Sequence, residues 1–283
     1  MSRTEKKQGE SAFEEYYTEQ FGERWTALRS SLFLEPVYAE IKLQPENSDE
    51  VLKPYYMDIA SVFAGCALPL PECGDILDMC AAPGGKTLIL AQRMNAECHL
   101  TANERSRDRY IRLNKVISES VPAGKRNLIQ TTCFDGSTMC RYGREKYDAI
   151  LLDAPCSSER HVINDLKYLA LWTKARVKTI CMTQWSLLSS AVLLLKPEGH
   201  ILYSTCSLTC EENDEIIKKA LKKYPELETE RADIAGIREK LKALFPDVSA
   251  IPNVEETEFG YHILPDSQNG AGPIYFCIII KKY

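Results

Sequence analysis

The sequence predicts an α/β fold with a mostly parallel sheet and helices on both faces, preceded by a short helical extension. From about residue 51 onwards, short apolar runs alternate with helical stretches, and a Gly-rich turn follows the first run. Residues 11–40 form one or two amphipathic helices broken at Pro36. The 283 residues suffice for one α/β core and an appendage, so we predict an N-terminal helical extension at 1–50 and the main domain at 51–283.

Each element of the main domain follows from its local pattern. Strands are predicted at 75–80, 98–104, 127–134, 147–155, 199–207 and 273–282. Helices are predicted at 86–94, 106–120 and from about 166 to 195. The sequence "TCEE" at 209–212 predicts a capping box that opens a helix at 213–224. The sequence "QPENSDE" at 44–50 predicts a linker.

The composition is that of an ordinary soluble globular protein, with 45% apolar and 27% charged residues. The first ten residues have no apolar targeting region, and no apolar run approaches about 18 residues, so we expect a cytoplasmic protein without a membrane segment. We also expect a monomer. Eleven cysteines are an odd number without a C-x-x-C pair, and the four histidines are scattered, so we expect reduced thiols and no metal site.

Charge is unevenly distributed along the chain. The net charge of −5 argues against indiscriminate binding of nucleic acid. Basic residues nevertheless cluster at 105–115 and again at 160–178, whereas 226–260 is mostly acidic. A solvated helix face explains such clusters as well as a binding surface does.

The stretch "CAAPGGKT", residues 80–87, misses a phosphate-binding loop by one residue, because Cys80 stands where that loop has its first glycine. It is the first strand-to-helix turn, which lies where doubly wound sheets bind ligands. Pro83 removes a backbone donor that a phosphate cradle needs. Gly84 and Gly85 still allow a ligand close to the backbone. The turn therefore suits the methionyl end of S-adenosylmethionine better than a triphosphate.

Acidic residues follow the next strands. Glu104 closes the second strand, where a carboxylate can accept both ribose hydroxyls of an adenosine ligand, and Asp135 follows the third strand, where it can meet the adenine amino group. Taken singly, each acid is as often a helix cap. Asp153 at the end of the fourth strand would also suit a magnesium ion, so a P-loop-like nucleotide hydrolase stays open as an alternative.

Two cysteines come directly after buried strands, Cys156 in "LLDAPCSS" and Cys206 in "LYSTCS". Both strands end at the edge of the sheet where we place the cofactor, and they are expected to be neighbours. Cys98, Cys181 and Cys277 are interpreted as inert buried thiols. Two thiols beside a methyl donor suggest methylation of an unactivated pyrimidine carbon.

The chemistry of cytosine explains why a thiol is needed. Addition of a thiolate at carbon 6 makes carbon 5 nucleophilic, and a base must remove the proton from carbon 5 before the thiol leaves. The thiol needs a lowered pKa, for which Lys86 or a helix N-terminus is available. Asp153 is placed to hydrogen-bond the N3 and amino edge of the base. These residues alone do not decide which of the two thiols attacks.

The motifs "DMCAAPGGKT", "DAPCSSERH", "YSTCSLTCEEN" and "GPIYFCIIIKK" resemble those of the Sun/RsmB/RsmF family of RNA cytosine-C5 methyltransferases. The segment "YYMDIASVFAG" at 55–65 is similar to the one that precedes the family's first strand, so the resemblance covers about residues 50–283. It implies a Rossmann-like class I methyltransferase fold with a seven-stranded sheet. It also implies S-adenosylmethionine as cofactor and, as substrate, a flipped-out or loop cytosine in rRNA or tRNA.

The resemblance also implies roles for individual residues. Cys206 in the "TC" motif is implied as the nucleophile, and Cys156 in the "PC" motif as the residue that assists release of the RNA adduct. DNA cytosine methyltransferases use the "PC" cysteine instead. The implied cofactor contacts are Cys80, Ala81, Ala82, Pro83, Gly84, Gly85, Lys86, Glu104, Arg109, Asp135 and Asp153.

The chain departs from the commoner pattern of the family. Most members continue "DAPC" with Ser-Gly, whereas this chain continues with "SSERH" at 157–161. That variant, together with "FEEYYTEQFGERW", is similar to the subgroup containing the mitochondrial ribosomal-RNA enzyme. Large RNA-binding extensions are absent from the sequence, so we expect either the basic residues 105–115 or a protein partner or ribonucleoprotein to select the target. A catalytically silent RNA-binding or assembly factor is the alternative, which both thiols and Asp153 argue against.

Overall fold

The computed structural model describes residues 8–44, 50–246 and 251–283 and has one large sheet with helices on both faces. The strands are β1 Tyr38–Ile41, β2 Tyr55–Asp58, β3 Gly74–Asp78, β4 Cys98–Asn103, β5 Ile129–Thr132, β6 Tyr147–Asp153, β7 Leu195–Thr205, β8 Leu227–Glu230, β9 Glu255–Glu256, β10 Tyr261–Ile263 and β11 Ile274–Lys281. The α-helices are α1 Glu10–Phe21, α2 Trp25–Ser31, α3 Ile59–Ala67, α4 Gly85–Arg93, α5 Arg107–Ser120, α6 Ala123–Arg126, α7 Glu159–Asn164, α8 Leu166–Ala170, α9 Lys174–Leu194, α10 Asp214–Lys223 and α11 Ile234–Leu244.

The order of strands in the sheet determines where a ligand can bind. Strands β5, β4, β3, β6 and β7 run parallel in that order, and β11 is antiparallel to β7. After β3, the chain adds β4 and β5 on one side and then β6 and β7 on the other, so the strand order switches between β3 and β6. Ligands of such sheets bind beyond the carboxyl ends of the strands at the switch.

The predicted fold class is confirmed, with a correction to the number of strands. Within the three described ranges, the main sheet has nine strands where seven are predicted. The short strands β8 and β10 pair with opposite ends of β11, and β9 pairs with β10. Strands β8, β9 and β10 have four, two and three residues; β8 and β9 lie in the acidic segment, and β10 follows directly after it. Strands β8 and β10 pair with the edge of β11 that β7 leaves free. None of the three short strands has an apolar run long enough to predict it from the sequence.

Side chains of the central strands alternate between two cores. In β6, Ala149 and Leu151 belong to the apolar cluster with α3, α4 and α5, whereas Ile150 and Leu152 belong to the cluster with α9 and α10. All four side chains are at most 1% exposed. This strict alternation is the pattern of a strand buried on both faces, and it rigidly positions the loop that follows β6.

The N-terminal helices α1 and α2 pack against the loops that follow β6 and β7. Phe13, Tyr17 and Trp25 form a buried aromatic cluster with Trp172, and Leu208 belongs to the same cluster. The predicted helix at 166–195 is therefore wrong as a single element. The chain turns between α8 and α9, and this turn places the Trp172 ring 5.4 Å from that of Phe13.

The N-terminal extension is not helical throughout. Strand β1 begins two residues after Pro36 and pairs antiparallel with β2, across the predicted boundary at residue 50. The Asp58 side chain then accepts a hydrogen bond from the Ala60 N–H at 2.8 Å and begins α3, which the sequence pattern does not predict. Most of the predicted linker, residues 45–49, lies outside the described residues.

Helix α9 is long and apolar enough to cross a membrane if only length and composition are considered. Of its most apolar window, 44% is buried inside the protein. Its buried face contacts β6 and β7. The core helix of a soluble protein meets the same criteria of length and composition. These criteria alone are therefore weak evidence that α9 spans a membrane.

Candidate active site

The carboxyl ends of the parallel strands open into one cavity of about 1040 Å³. Its volume is at the upper end of the range for ligand pockets, about 300–1,000 Å³. The segments that follow β3, β4, β5, β6 and β7 all contribute predicted site residues to its walls. These residues are Cys80, Ala82, Lys86, Glu104, Arg109, Asp135, Asp153, Cys156 and Cys206. The cavity is therefore large enough for a nucleoside-sized cofactor together with part of a second ligand.

The other residues of the first turn lie beside this cavity. Ala81, Pro83 and Gly85 line an adjoining cavity of about 200 Å³, which shares Lys86 with the large one. Gly84 lines neither of these two cavities. The structure thus brings most of the turn to the predicted site but divides it between two spaces.

The two glycines of the turn are closely packed against neighbouring elements. Gly84 has a φ of 123°, and a Cβ there would lie 3.0 Å from Cγ1 of Val116 in α5. A Cβ on Gly85 would lie 2.8 Å from Tyr55 and Met57 of β2. Close packing against α5 and β2 therefore requires glycine at both positions.

A buried ion pair joins the first turn to the end of β6. Lys86, whose side chain is 8% exposed, donates from Nζ to Asp153 Oδ2 at 2.7 Å, and Ser204 of β7 donates to Asp153 Oδ1 at 2.8 Å. Burial acts to lower the pKa of Lys86, but the attraction to Asp153 outweighs it, so the pKa is raised. The negative charge of a Cys206 thiolate also acts to raise it, so this cation lies within electrostatic reach of that sulfur.

Glu104 is buried and connects two loops. Its Oε1 accepts a hydrogen bond from the Ser106 N–H at 2.8 Å, and its Oε2 lies 3.4 Å from Nη1 of Arg109. Arg109 also donates to the carbonyl of Ala82 in the first turn. The predicted residues Glu104 and Arg109 are thus brought together, and the guanidinium holds the first two loops in one arrangement.

Asp135 both caps a helical turn and lines the cavity. Its Oδ1 accepts hydrogen bonds from the Ser137 N–H at 3.1 Å and from the Ser137 hydroxyl at 2.7 Å. The hydroxyl bond is the main cause of its lowered pKa. The Nε atom of Arg105 lies 3.7 Å from the other carboxylate oxygen. The capping and ligand-binding interpretations of this residue are therefore compatible.

The two predicted thiols lie on either side of one hydroxyl group. The Ser158 Oγ is 3.4 Å from Cys156 Sγ and 3.2 Å from Cys206 Sγ, and both cysteines are half-buried. The pKa of Cys156 is raised well above the ordinary value, first by its hydrogen bond with Cys206 and then by burial. The main influence on the pKa of the Cys156 thiol is thus a second sulfur and not a cation.

The buried carboxylate of Glu159 connects the two thiol loops, which are the loops after β6 and β7 that carry Cys156 and Cys206. Glu159 is fully buried and accepts hydrogen bonds from the Tyr17 hydroxyl at 2.5 Å, from the Ser207 hydroxyl at 3.1 Å and from the Leu208 N–H at 3.1 Å. It also accepts one from the Ser157 hydroxyl. Glu159, within the segment "SSERH" that follows "DAPC", thus ties both loops to helix α1.

A second buried carboxylate, Glu212, corrects the predicted capping box. Its Oε2 accepts from the Ser157 N–H at 3.0 Å and from Gln184 Nε2 at 2.8 Å. Burial and then the charge of Glu159 raise its pKa to about 7. The Thr209 hydroxyl caps only the short turn Cys210–Glu212, and α10 begins afterwards. Glu212 turns inward because Gln184 and the Ser157 N–H need an acceptor.

The sequence analysis misses Asp78, which ends β3. Asp78 is fully buried and accepts a hydrogen bond from the Thr87 hydroxyl at 2.7 Å, and burial raises its pKa to about 7. Its Oδ1 has no partner among the described residues, and the side chain lines the smaller cavity. A donor on a bound ligand would satisfy this oxygen. The sequence does carry a signal for this residue, because Asp78, like Glu104, is an acid at the end of a strand.

Asn103 and Ser158 are also missed. The Asn103 amide donates to the carbonyls of Met79 at 3.0 Å and Phe134 at 3.1 Å, so it fixes the loops after β3 and β5. Neither an Asn within a strand nor a Ser after a cysteine has a sequence signal for such a role.

In the three described ranges, no group of three or more His, Cys, Asp or Glu side chains could hold a metal ion.

Solved structures resemble the whole fold. A methyltransferase homolog from Pyrococcus horikoshii aligns with a TM-score of 0.70 and 20% identity, covering 96% of this chain and 94% of that one. NSun6 from Pyrococcus horikoshii, solved with SFG, aligns with a TM-score of 0.64 and 22% identity, covering 85% of this chain and 57% of that one. At these identities the similarity establishes the fold.

Sequence relatives carry more specific information. A 5-cytosine rRNA methyltransferase, NSUN4, from Bos taurus is 32% identical over 228 residues, which are 79% of this chain and 58% of that protein. A mitochondrial tRNA (cytosine(34)-C(5))-methyltransferase from Danio rerio is 30% identical over 253 residues, covering 89% and 67%. The ribosomal RNA small subunit methyltransferase F of Serratia proteamaculans (strain 568) is 34% identical over 228 residues, covering 80% and 43%. The chain thus spans between two fifths and two thirds of the lengths of these relatives.

The family model described as 16S rRNA methyltransferase RsmB/F matches residues 66–264. That range contains β3 to β7, both thiol loops and every loop that lines the large cavity. Together with the relatives, this match confirms the resemblance seen in the motifs. The chain belongs to the RsmB/F family of methyltransferases.

Proposed function

We propose that this protein transfers a methyl group from S-adenosylmethionine to carbon 5 of a cytosine in rRNA or tRNA, through a covalent bond between Cys206 and carbon 6. The observation that carries the proposal is the pair of thiols that share the Ser158 hydroxyl at the wall of the large cavity. Cytosine carbon 5 requires a thiol, because it becomes nucleophilic only after addition at carbon 6. The names of the relatives, which act on cytosine in rRNA and tRNA, support this substrate.

The residues of the cofactor side fit S-adenosylmethionine. The unpartnered oxygen of Asp78 suits the ammonium group of its methionyl end, Glu104 suits the ribose hydroxyls, and Asp135 suits the adenine amino group. When bound, the cofactor supplies an electrophilic methyl group.

The chain's own residues account for the remaining steps. Cys206 Sγ attacks carbon 6 as a thiolate, and the nearby Lys86 ammonium stabilises that negative charge. Asp153, held between Lys86 and Ser204, is positioned to hydrogen-bond the N3 and amino edge of the ring. After carbon 5 has lost its proton to a base, the bond between sulfur and carbon 6 breaks and the ring double bond returns. Cys206 is assigned as the nucleophile because of its "TC" motif, and a raised pKa of Cys156, caused first by Cys206 and then by burial, is compatible with that assignment.

Two cysteine variants test the mechanism. Cys206→Ala is expected to abolish methyl transfer, whereas Cys156→Ala is expected to accumulate an enzyme–RNA adduct that survives a denaturing gel. Cys210→Ala is the matched control, because this exposed thiol lies four residues from Cys206 and should leave transfer unchanged. Normal turnover by Cys156→Ala together with trapped RNA on Cys206→Ala would reverse the two assignments.

The substrate is tested by bisulfite sequencing of ribosomal and transfer RNA with and without the protein. A cytosine converted only in the absence of the protein supports the proposal. A melting temperature raised by ATP and not by S-adenosylmethionine would instead favour the nucleotide hydrolase. Binding of both S-adenosylmethionine and RNA without any new 5-methylcytosine would favour the silent assembly factor.

A further inference from the structure

A second cavity of about 900 Å³ lies between α1, α9 and α10. Lysines dominate its walls, and we call it the lysine groove. Its five lysines are Lys174, Lys178, Lys218, Lys219 and Lys222. Only two carboxylates, Glu211 and Glu215, line it as well. The groove therefore concentrates positive charge on a chain whose net charge is −5.

Most of these lysines are not neutralised within the protein. Lys178 and Lys222 are exposed and make no ion pair in the part of the chain that the structure describes. Lys174 and Lys219 lie over the rings of Tyr16 and Trp185, at 5.1 Å and 4.1 Å from their centroids. These aromatic contacts orient the ammonium groups without cancelling their charge. The groove is therefore suited to an anionic ligand.

The lysine groove and the cavity that contains the thiols share one lining residue, Met182 of α9. Lys174, Lys178, Met182 and Ser186 follow each other at i, i+4 spacing along α9, a row of about 18 Å. Met182 is 65% exposed and lines both cavities, and Ser186 lines the cavity of the thiols. A polymer whose reacting unit enters the thiol cavity would thus pass directly over this row.

We propose that the lysine groove binds the phosphate backbone of the RNA strand on one side of the target cytosine. The inference rests on the proposed function, because it assumes that the base at Cys206 belongs to RNA. A positively charged groove that follows the phosphate backbone is the electrostatic part of the arrangement that binds single-stranded nucleic acid. An acidic peptide would match the charge, but it would not explain why the row on α9 leads to the thiols.

The basic residues 105–115 are less suited to this task. Arg109 is bound to Glu104 and Ala82, and Arg105 faces Asp135 within the cofactor side of the cavity. Arg107 lies over the ring of Tyr110 at 5.6 Å. Two of these arginines therefore already hold loops of the site. In the groove, Lys218 pairs with Glu215 and Glu258, whereas Lys178 and Lys222 make no ion pair with any described residue.

The double variant Lys178→Gln/Lys222→Gln tests the proposal. The measurement is the affinity for a single-stranded, mixed-sequence RNA oligonucleotide, followed by fluorescence anisotropy as a function of KCl concentration. Each lost phosphate contact lowers the slope of log K against log salt by about 0.7, so we expect a slope smaller by about 1.4. Affinity at low salt should fall at least tenfold, while the affinity for S-adenosylmethionine stays unchanged.

The matched control is Lys240→Gln/Lys242→Gln, which removes the same charge from exposed positions of α11, on the other face of the sheet. It should retain the slope of the unmodified protein. Equal slopes for the groove variant and the unmodified protein would overturn the lysine groove but leave the proposed function standing. If the unmodified protein binds S-adenosylmethionine but no RNA, the proposed function itself fails.

Discussion

The large cavity has two halves, a cofactor side lined by Glu104 and Asp135 and a thiol side lined by Cys156 and Cys206. The two halves are held in place in different ways. On the cofactor side, each acid is held by its own loop: Glu104 accepts from the Ser106 N–H and Asp135 from the Ser137 N–H, both two residues away. On the thiol side, the loops rest on Glu159, whose partners include Tyr17 at a separation of 142 residues. Each acid of the cofactor side thus has a local partner of its own, whereas the carboxylate beneath the thiols depends on a contact with a helix 142 residues away in the chain.

This difference implies that the two halves respond to different changes in the protein. A nucleophile must be held within about 0.5 Å of its productive position, and here the packing of α1 supplies part of that support. The N-terminal helices are therefore expected to matter for the chemical step, although they line no part of the cavity that contains the thiols. The cofactor side should tolerate damage to α1.

The largest effect is expected for Glu159→Ala. The change leaves the buried Leu208 N–H and three hydroxyls without their acceptor, and each unsatisfied buried donor costs about 1–3 kcal/mol. Urea denaturation should show a loss of several kcal/mol, and methyl transfer should fall at least tenfold. Tyr17→Phe, with the exposed Tyr142→Phe as control, removes one of these bonds and should give a smaller loss in the same direction. An equal loss of cofactor affinity in these variants would contradict the separation of the two halves.

An intermediate effect is expected for Glu104→Ala on the cofactor side. Loss of hydrogen bonds to a carboxylate costs about 1.5–3 kcal/mol, which is about a ten- to hundredfold weaker Kd for S-adenosylmethionine. Calorimetry measures this affinity, and the exposed Asp108→Ala serves as control. At saturating cofactor, the single-turnover rate should stay within about twofold of the unmodified rate. A collapsed single-turnover rate would show that this side also positions the thiols.

The smallest effect is expected in the pH dependence of stability. It involves one buried acid from each half, Asp78 and Glu212. Burial is the main cause that raises the pKa of both Asp78 and Glu212 to about 7, from ordinary values of 3.8 and 4.5. The folded state thus keeps protons that the unfolded state has lost, so this contribution to stability is present below pH 4 and disappears as the pH rises through 7. Between pH 5 and 7, each acid should lower the free energy of unfolding by about 1 kcal/mol per pH unit.

The variants Asp78→Asn and Glu212→Gln test this dependence separately. Urea midpoints measured from pH 5 to 8 should show a flatter profile for each variant than for the unmodified protein. If only one variant flattens the profile, the two halves differ in their electrostatics as well as in their contacts. Unchanged profiles in both variants would contradict the raised pKa values.

Much of the cofactor side was predictable from sequence. Cys80, Glu104 and Asp135 each follow an apolar run, and parallel strands bring the residues at their carboxyl ends to one edge. The same rule places Cys156 and Cys206 there, because β6 and β7 are neighbours. Short-range pattern and the geometry of a parallel sheet are sufficient for this part of the site.

The sequence by itself thus determined the fold class, the edge of the sheet that carries the candidate site and many of the residues that line it. Only the tertiary structure decided that Ser158 lies between the two thiols, that Glu159 and Glu212 turn inward beneath them, and that lysines of α9 and α10 share a groove. The physical reason is the range of the contacts. Periodicity encodes which face of an element is buried, but it does not encode which distant side chain a buried polar group will meet.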